Sequence, residues 1–366
     1  WKLMEVAEAK KTRVLCGMSG GVDSSAAAVL LIEQGYEVVG VTLKLWPQDC
    51  VSRVEDKCCG PQAVTDARSV CHNLGIRYYL IDEAEDFQTH VIDYFATEYK
   101  AGRTPNPCVM CNEHLKFGRL LERADQLGAE KIATGHFARI DQDETTGRFL
   151  LKRGRDERKD QTYFLFSLRQ DQLSRALFPL GEKTKDATRD VARDCNLKTA
   201  EKAESMEICF VPDNDYGAFL QKAGLAEKHT GEIVDLNGRV LGQHDGIEFY
   251  TIGQRKGLGI SSPYPLYVLE LNPEENRVVV GPVENLERDQ FEVERCNWIP
   301  FENLTAPIEV TTRIRYNHTG TPATLTPLEN NRATIKLHTP QRAIAPGQAC
   351  VFYQDDLVVG GGWITR

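Results

Sequence analysis

Two cysteines stand three residues apart in the stretch Thr104-Pro-Asn-Pro-Cys-Val-Met-Cys-Asn112, directly behind two prolines. This spacing is typical of a metal site, of a redox pair or of a site that handles sulfur. A further cysteine, Cys209, lies well downstream in Ile208-Cys-Phe210. Sulfur attacks as a thiolate, so a helix start or a cation is expected beside a nucleophilic cysteine. Apolar periodicity predicts a helix over 113–127, which would place Cys111 at its beginning.

A glycine-rich loop lies near the start of the chain. Residues 12–18 are predicted to form a short apolar strand, which runs into Ser19-Gly-Gly-Val-Asp-Ser-Ser25 and a helix over 24–34. Gly20 and Gly21 permit positive φ and a close approach of the backbone to a ligand. The N–H groups of the helix start favour an anion, although the Gly-Lys-Ser/Thr ending of a Walker A loop is absent. The loop therefore predicts nucleotide binding, with a plain turn capped by Asp23 as the alternative.

The elements that must position these residues alternate between strand and helix as far as residue 211. Further strands are predicted at 37–46, 76–81 and 131–134, and helices at about 62–74, 84–100 and 113–127, with more helix within 170–195. Such alternation predicts a parallel sheet with helices on both faces. From Gly231 onward, short strands broken by Gly, Asn and Pro indicate an all-β region. We predict three domains, at 1–211, 212–288 and 289–366, the last a small barrel.

Composition limits the class of protein. No run approaches the ~18 apolar residues that a membrane helix needs, and the N-terminus shows no apolar signal core. The eleven cysteines in 366 residues favour a reducing compartment and chemical roles for some of them. The net charge of −9 argues against a nonspecific nucleic-acid coat but permits a local basic face. We predict a cytoplasmic protein, or an organellar one if a transit segment precedes the sequence.

Several motifs occur in a fixed order along the chain. Ser19–Ser25 resembles the SGGxDS loop of the ATP pyrophosphatases, or PP-loop enzymes. It is followed by Gly102–Pro107, Cys111-Asn112, Ala133–Phe137, Lys159–Phe164, Ile208–Phe210, Thr251–Ile260 and Pro346–Gln348. Over nearly its whole length the sequence resembles the tRNA-specific 2-thiouridylase family. The resemblance implies a parallel-sheet α/β domain of the adenine nucleotide α-hydrolase type, then a small central β-rich domain and a C-terminal β-barrel.

The resemblance also implies a reaction and its participants. ATP adenylates the C2 oxygen of the wobble uridine (position 34) of a tRNA, sulfur arrives from a cysteine persulfide, and AMP and pyrophosphate leave. Cys111 would be the nucleophile and Cys209 the persulfide carrier, and the two would form a disulfide as sulfur departs. The partners are tRNA and a persulfide donor or relay protein. ATP would be bound, with Mg²⁺ held by Asp23, at Gly17, Met18, Ser19, Gly20, Gly21, Val22, Asp23, Ser24, Leu43 and Gly135.

Contacts with tRNA must be local in so acidic a chain. Basic residues cluster in 152–159, at Arg255-Lys256 and in Arg313-Ile-Arg-Tyr316, and we predict that the latter two clusters lie on β segments. Phosphate contacts explain such clusters, and an aromatic side chain such as that of Tyr316 can stack on a base. By resemblance the tRNA contacts are Asn106, Pro107, Cys108, His136, Lys159, Asp160, Gln161, Arg315, Tyr316 and Gln348, the first three against the target base. For His136, a buried core histidine is the alternative.

Cys108 departs from the commonest pattern of the family, in which many members carry Asp at this position. Cys108, Cys111 and Cys209 together would suit a [4Fe–4S] cluster with one open iron position. The persulfide mechanism needs only Cys111 and Cys209 and is the preferred hypothesis. An amide-forming ATP pyrophosphatase and a noncatalytic iron–sulfur or RNA-binding protein are the rival functions.

The remaining cysteines give a weaker signal. Cys50, Cys58, Cys59 and Cys71-His72 form a cluster that lacks paired Cys-x-x-Cys spacing, so we interpret it as a loop and a helix face rather than a zinc site. Cys16, Cys195, Cys296 and Cys350 are predicted to be packing residues.

Overall fold

The computed structural model describes residues 11–45, 60–202, 208–212 and 215–365. Along the chain these ranges form a parallel sheet with helices, a small mixed sheet and a closed barrel. The predicted fold class is therefore confirmed. Within the described ranges, no helix combines the length and apolar character needed to cross a membrane.

The first unit is built on five parallel strands. Its strands in chain order are β1 (Arg13–Gly17), β2 (Glu37–Lys44), β3 (Arg77–Asp82), β4 (Lys131–Ala133), β5 (Ala138–Gln142), β6 (Phe149–Arg153) and β7 (Ala176–Leu177). The parallel sheet has the order β3-β2-β1-β4-β7, with β1 in the centre. β1 is buried along Val14–Cys16, as expected of a strand covered on both faces. The carboxyl ends of β1, β2 and β4 therefore lie at one edge of the sheet.

Helices flank this sheet. They are α1 (Val22–Glu33), α2 (Pro61–Asn73), α3 (Ala84–Phe87), α4 (Tyr94–Lys100), α5 (Pro107–Met110), α6 (Leu120–Gln126), α7 (Gln170–Arg175) and α8 (Lys185–Asp194). π-helical turns at Gln88–Asp93 and Cys111–Arg119 join α3 to α4 and α5 to α6. The helical segments predicted within 170–195 are confirmed as α7 and α8, which the short edge strand β7 separates.

The helix predicted over 113–127 begins earlier, at Pro107. Asn106 caps it, since its side-chain oxygen accepts a hydrogen bond from the Val109 N–H at 3.4 Å. Pro107 fits the first helical position, where an N–H group would have no partner. Cys111 consequently lies one turn inside the helix rather than at its first residue.

The central unit contains α9 (Tyr216–Lys222) and a four-stranded sheet. Its strands are β8 (Gly231–Val234), β9 (Val240–His244), β10 (Tyr267–Asn272) and β11 (Arg277–Gly281). They are arranged in the order β10-β11-β8-β9, and only β8 and β11 are parallel. Arg255 and Lys256 lie in the loop between β9 and β10, so their predicted place on a β segment was wrong.

The C-terminal unit is a closed barrel, which we call the barrel. Its six strands are β12 (Glu287–Trp298), β13 (Ile308–Arg313), β14 (Thr321–Leu328), β15 (Arg332–Arg342), β16 (Ala349–Gln354) and β17 (Leu357–Ile364). They run in the order β12-β15-β14-β13-β16-β17, and pairing between β12 and β17 closes the ring. Alternate residues such as Val293, Leu325 and Ile335 are fully buried inside it.

A hairpin from the first unit extends the barrel sheet. β5 and β6 pair with each other, and β6 adds to β17 through Lys152 and Leu357. The N–H of Arg153 donates to the Asp356 carbonyl at 2.8 Å, and Arg139 forms an ion pair with the Asp356 side chain at 2.6 Å. No local pattern in residues 138–153 predicts that this hairpin joins the C-terminal sheet. One hydrophobic core consequently runs from Leu15 of β1 to Trp363 of β17.

Candidate active site

The glycine-rich loop is wound back onto the start of α1. The Ser19 N–H donates to Ser24 Oγ at 3.1 Å, and Ser24 Oγ donates to the Gly21 carbonyl at 3.1 Å. Ser25 Oγ donates to the same carbonyl at 2.8 Å. α1 has an extended residue, Gly21, at its N-cap and no side-chain cap there. The N–H groups of its first turn therefore meet the loop at the edge of the sheet, an arrangement that favours an anion.

Two glycines allow neighbouring backbones to approach this loop. Gly20 has φ +70, and a Cβ there would lie 2.2 Å from the Ala63 carbonyl oxygen of α2. A Cβ on Gly135, just after β4, would lie 2.7 Å from the carbonyl carbon of Asp23. Only glycine fits either place without displacing backbone. The loop after β1 is thus in direct contact with α2 at Gly20 and with the loop after β4 at Gly135. The ATP contacts of the two glycines remain predictions.

The other predicted nucleotide residues lie at the same edge. The Met18 N–H donates to the Val41 carbonyl at 2.7 Å, and the Met18 carbonyl accepts from Thr42 Oγ1 at 2.7 Å. Leu43 lies on β2 just beyond this pair, and Val22 is buried at the start of α1. These bonds fix the end of β1, and with it Gly17, against β2.

Two lysines from distant parts of the chain reach the loop, and the sequence analysis missed both. Lys185, the first residue of α8, is buried and places its Nζ 2.6 Å from Asp23 Oδ1. Lys202 Nζ donates to the Gly20 carbonyl at 3.1 Å and pairs with Asp66 at 2.6 Å. A nucleotide triphosphate would meet both cations. No local motif marks them, because only the folded topology brings α8 and the segment after it to this edge.

The predicted sulfur-handling cysteines lie on two segments that are far apart in sequence. Cys108 is half-buried and Cys111 is buried, three residues apart on one face of the same helical run. Cys209 is half-buried and packs against the hydrophobic core that includes Cys111. Its neighbour Phe210 packs edge-on against Phe95, with ring centres 5.1 Å apart. Residues far apart in sequence thus bring Cys209 and Cys111 into one core.

No set of three or more His, Cys, Asp or Glu side chains in the described ranges is arranged to hold a metal ion. Cys50, Cys58 and Cys59 lie outside the described residues. Cys16, Cys71 and Cys296 are buried, and desolvation raises the pKa of each thiol to about 12, as expected of packing residues. Cys195 is exposed, so its predicted packing role was wrong.

His136 follows β4 and is buried. Its Nδ1 lies 2.7 Å from Thr134 Oγ1, and its ring packs between Phe117 at 6.0 Å and Phe178 at 5.9 Å. Burial, together with the nearby Lys116 charge, holds the His136 pKa well below its ordinary value, so the ring is neutral. The predicted contact with tRNA remains a prediction. His136 does join the segment that touches the nucleotide loop to the helix that carries Cys111.

The segment 159–161 faces inward more than expected. Lys159 is half-buried, and the Asp160 carboxylate is buried, where it accepts from Thr162 Oγ1 at 2.8 Å and pairs with Arg313 of the barrel at 3.1 Å. Gln161 Oε1 accepts from the Phe137 N–H at 3.0 Å. The Asp160 and Gln161 side chains therefore hold protein elements together in this structure.

The barrel contributes the remaining predicted residues. Tyr316 packs against Phe164, with ring centres 4.5 Å apart. Gln348 Nε2 donates to the Pro105 carbonyl at 3.4 Å. Arg315 is exposed on the turn that carries Tyr316, so the β segment predicted for 313–316 was wrong beyond Arg313, where β13 ends. The barrel thus abuts the Thr104–Pro107 loop that leads into the cysteine helix, and three distant regions of the chain converge there.

Comparisons with known proteins agree with this architecture. Three family descriptions match in succession: a tRNA methyl transferase HUP domain over 12–213, a tRNA methyl transferase PRC-barrel domain over 217–282 and an aminomethyltransferase β-barrel domain over 288–364. Among solved structures, a U34-tRNA thiolase from Methanococcus maripaludis aligns at 17% identity over 58% of this chain and 66% of its own. The TM-score of this alignment is 0.35.

Curated relatives match over almost the whole chain. The tRNA-specific 2-thiouridylase MnmA of Heliobacterium modesticaldum is 49% identical over 97% of this chain and 93% of its own. Those of Clostridium perfringens and Clostridium acetobutylicum are 48% and 47% identical over 97% and 96% of this chain and 98% and 99% of their own. The predicted family is confirmed. The chain belongs to the tRNA-specific 2-thiouridylase family.

Proposed function

We propose that this protein catalyses the ATP-dependent 2-thiolation of a tRNA wobble uridine. One observation carries the proposal beyond family membership: the segment 134–137 touches both halves of the site. Gly135 lies against Asp23 of the nucleotide loop, and His136 packs on Phe117 of the cysteine helix. An activated oxygen and an attacking sulfur must meet at one carbon, and this juxtaposition suits that requirement.

The nucleotide loop would bind ATP at its phosphates. The N–H groups at the start of α1 suit the pyrophosphate oxygens, and Lys185 and Lys202 are cations at the same place. The Asp23 carboxylate and the Ser19 and Ser24 hydroxyls are oxygen donors of the kind that Mg²⁺ prefers. Bound Mg²⁺ would supply neutralisation of phosphate charge. The ammonium of Lys185 balances the charge of the Asp23 carboxylate.

Two cysteines are sufficient for the transfer of sulfur to the uridine. The uracil C2 oxygen attacks the α-phosphorus of ATP, pyrophosphate leaves, and the oxygen becomes part of a good leaving group. The outer sulfur of a Cys209 persulfide attacks C2, and AMP departs. The Cys111 thiolate then attacks the inner sulfur of Cys209, which releases the 2-thiouridine and leaves a Cys111–Cys209 disulfide. A thiol reductant restores the dithiol, and a persulfide-bearing donor protein reloads Cys209.

The direct test incubates the protein with ATP, Mg²⁺, a tRNA transcript and a persulfide donor, followed by nucleoside analysis. We expect 2-thiouridine and an equal amount of AMP, with no product from Cys111→Ser or Cys209→Ser. Incorporation of ammonia independent of Cys209 would instead indicate an amide-forming enzyme. Binding of tRNA without AMP release would indicate a noncatalytic protein.

Cys108 distinguishes the persulfide mechanism from the cluster mechanism. In the persulfide mechanism Cys108 lies beside the base, so Cys108→Ala should keep much of its activity in air. In the cluster mechanism Cys108, Cys111 and Cys209 each bind iron, so Cys108→Ala should lose iron and activity together. Anaerobic purification with iron and sulfide counts decides between them. About four irons per chain in the parent protein, lost in Cys108→Ala along with thiolation, would establish the cluster.

A further inference from the structure

Arg313 joins two segments that the predicted tRNA contacts occupy. It is the last residue of β13, and each of its three guanidinium nitrogens is engaged within the protein. Nη1 donates to Asp160 Oδ2 at 3.1 Å, Nε donates to the His318 carbonyl at 2.9 Å, and Nη2 donates to the Tyr316 carbonyl. The planar fork of arginine can serve three acceptors at fixed angles, which a lysine ammonium cannot do.

The bond from Arg313 to Asp160 is a buried ion pair. The Asp160 side chain is 2% exposed and that of Arg313 is 15% exposed. The Arg313 guanidinium also lies 5.9 Å from the ring centres of Tyr316 and Tyr353. Buried ion pairs add little net stability, because desolvation offsets their attraction, but they fix geometry where each charge has hydrogen-bond partners. Here the geometry that is fixed is the turn 313–318 of the barrel against the segment 160–164.

From this turn a short series of contacts leads to the catalytic helix. The Tyr316 ring packs on Phe164 at 4.5 Å, and the Phe164 carbonyl accepts a hydrogen bond from Asn112 Nδ2 at 2.9 Å. Asn112 is 2% exposed and follows Cys111 directly in the chain. Among the described residues its Oδ1 has no hydrogen-bond partner, so the bond to Phe164 is the one polar contact that orients this side chain there.

We propose that Arg313 is a positioning residue for sulfur transfer, and this inference rests on the proposed function. It holds Tyr316 against Phe164, and Phe164 in turn orients Asn112 and the adjoining Cys111. Arg315, two residues further on, is exposed and suited to a phosphate, whereas the Arg313 fork is occupied inside the protein. Loss of the fork should therefore slow the chemical step more than it weakens tRNA binding.

The chain offers a matched control. Arg139 also joins the first unit to the barrel through an ion pair, with Asp356 at 2.6 Å, and it donates to the Arg153 carbonyl at 2.7 Å. It lies on the β5–β6 hairpin, which the series of contacts to Asn112 does not include. Arg139→Lys thus replaces the guanidinium of a second, more exposed ion pair between the units without disturbing the turn 313–318.

The experiment compares Arg313→Lys and Arg139→Lys with the parent protein at saturating tRNA. For Arg313→Lys we expect the single-turnover rate of 2-thiouridine formation to fall at least about tenfold, with the Kd for tRNA changed less than about threefold. For Arg139→Lys we expect a parent-like rate. In a Tyr316→Ala background, Arg313→Lys should cost less than about threefold more, because both residues act through one contact.

A second readout does not depend on turnover. The alkylation rate of Cys111 in the tRNA-bound protein, followed by mass spectrometry, should change at least about fivefold in Arg313→Lys and less than about twofold in Arg139→Lys. If the parent protein makes no 2-thiouridine, the proposed function fails while alkylation still tests Arg313. Equal alkylation in the two variants, or a loss in Arg313→Lys confined to tRNA affinity, would overturn the positioning role.

Discussion

The nucleotide loop folds back on itself through local hydrogen bonds, whereas the cysteine site is held by bonds between distant segments. Within the loop, Ser19, Gly21, Ser24 and Ser25 bond to one another across three to five residues of chain. At the cysteine site the bonds join partners far apart in sequence. Asn112 and Phe164 are separated by 52 positions, Asp160 and Arg313 by 153, and Pro105 and Gln348 by 243.

Because of this difference, the two regions should be impaired by different sets of substitutions. The distant lysines that reach the loop, Lys185 and Lys202, belong to the first unit and not to the barrel. Changes in the barrel should therefore leave the adenylation step intact. An assembled site depends on the packing of every segment that contributes to it. Sulfur transfer should therefore fail after substitutions in any of three regions, whereas adenylation, measured as release of pyrophosphate, should fail mainly after substitutions near the loop.

The largest effect is expected at Asp23. Asp23→Ala should lower AMP formation at least about 10³-fold, because phosphate charge is no longer neutralised through this carboxylate. Binding of tRNA should persist, since the barrel is untouched. Asp82→Ala, at the end of β3, removes an exposed carboxylate paired with Lys44 and is the control. Normal AMP release by Asp23→Ala would remove this residue from the mechanism.

A smaller decrease in AMP formation is expected after substitution of Gly135. In Gly135→Ala the new methyl group would lie 2.7 Å from the Asp23 carbonyl carbon and 2.8 Å from the Ser24 nitrogen, so the start of α1 must shift. We expect AMP formation to fall about 10- to 100-fold, because a misplacement near 1 Å has that cost. Gly242→Ala, where the nearest atom is an Ile260 side-chain carbon at 3.4 Å, should behave as the parent. An unchanged rate of AMP formation in Gly135→Ala would show that the loops after β1 and β4 can move apart without loss of activity.

His136 links the two regions, and its burial should appear in the pH dependence of the protein's stability. Its pKa is lowered in the folded protein, so below the ordinary value of 6.5 the unfolded chain binds a proton that the folded chain does not. The free energy of unfolding should therefore decrease as pH falls below 6.5, by up to about 1.4 kcal/mol per pH unit from this residue. In His136→Gln this part of the decrease should vanish, as measured by Tm at pH 7.0 and 5.5. Parallel losses of Tm in the two proteins would place the His136 ring in contact with water.

The smallest effect is expected at Arg315. Arg315→Ala should weaken tRNA binding about three- to tenfold and reduce the salt slope of log Kd by roughly one unit or less. AMP formation at saturating tRNA should change little, since the arginine is exposed on the barrel. Titrations at several salt concentrations measure the slope. A slope equal to that of the parent would exclude Arg315 from the interface.

The same contrast explains what the sequence could predict. The loop after β1, the succession of strands along the chain and the barrel could be predicted from local periodicity and turn residues. Gly20 fits the loop because glycine accepts its positive φ. Lys185 and Lys202 could not be found, because an isolated lysine gains meaning only when the topology carries it to the loop. The start of the cysteine helix was misplaced, since Pro107 signals a break unless Asn106 is recognised as its cap.

The inward-facing side chains show a second limit of sequence analysis. The family resemblance predicted that Asp160 and Gln161 contact tRNA. In the structure their side chains are bonded to Arg313 and Phe137, in other parts of the chain. No periodicity within 159–161 records that pairing. The join of β6 to β17 is hidden for the same reason, because its two strands are about 200 residues apart.

That join has a consequence for the protein as it leaves the ribosome. β6 emerges early, but its neighbour β17 is made near the end of the described chain, about 200 residues later. At a synthesis rate of 5–20 residues per second, roughly 10–40 s pass between the synthesis of β6 and that of β17. The outer edge of β6 is unpaired during this time. During this time Phe149 and Leu151, which belong to the common core, lack their cover. A stalled or prematurely ended chain would thus display an open strand edge, the kind of surface that chaperones bind and that promotes aggregation.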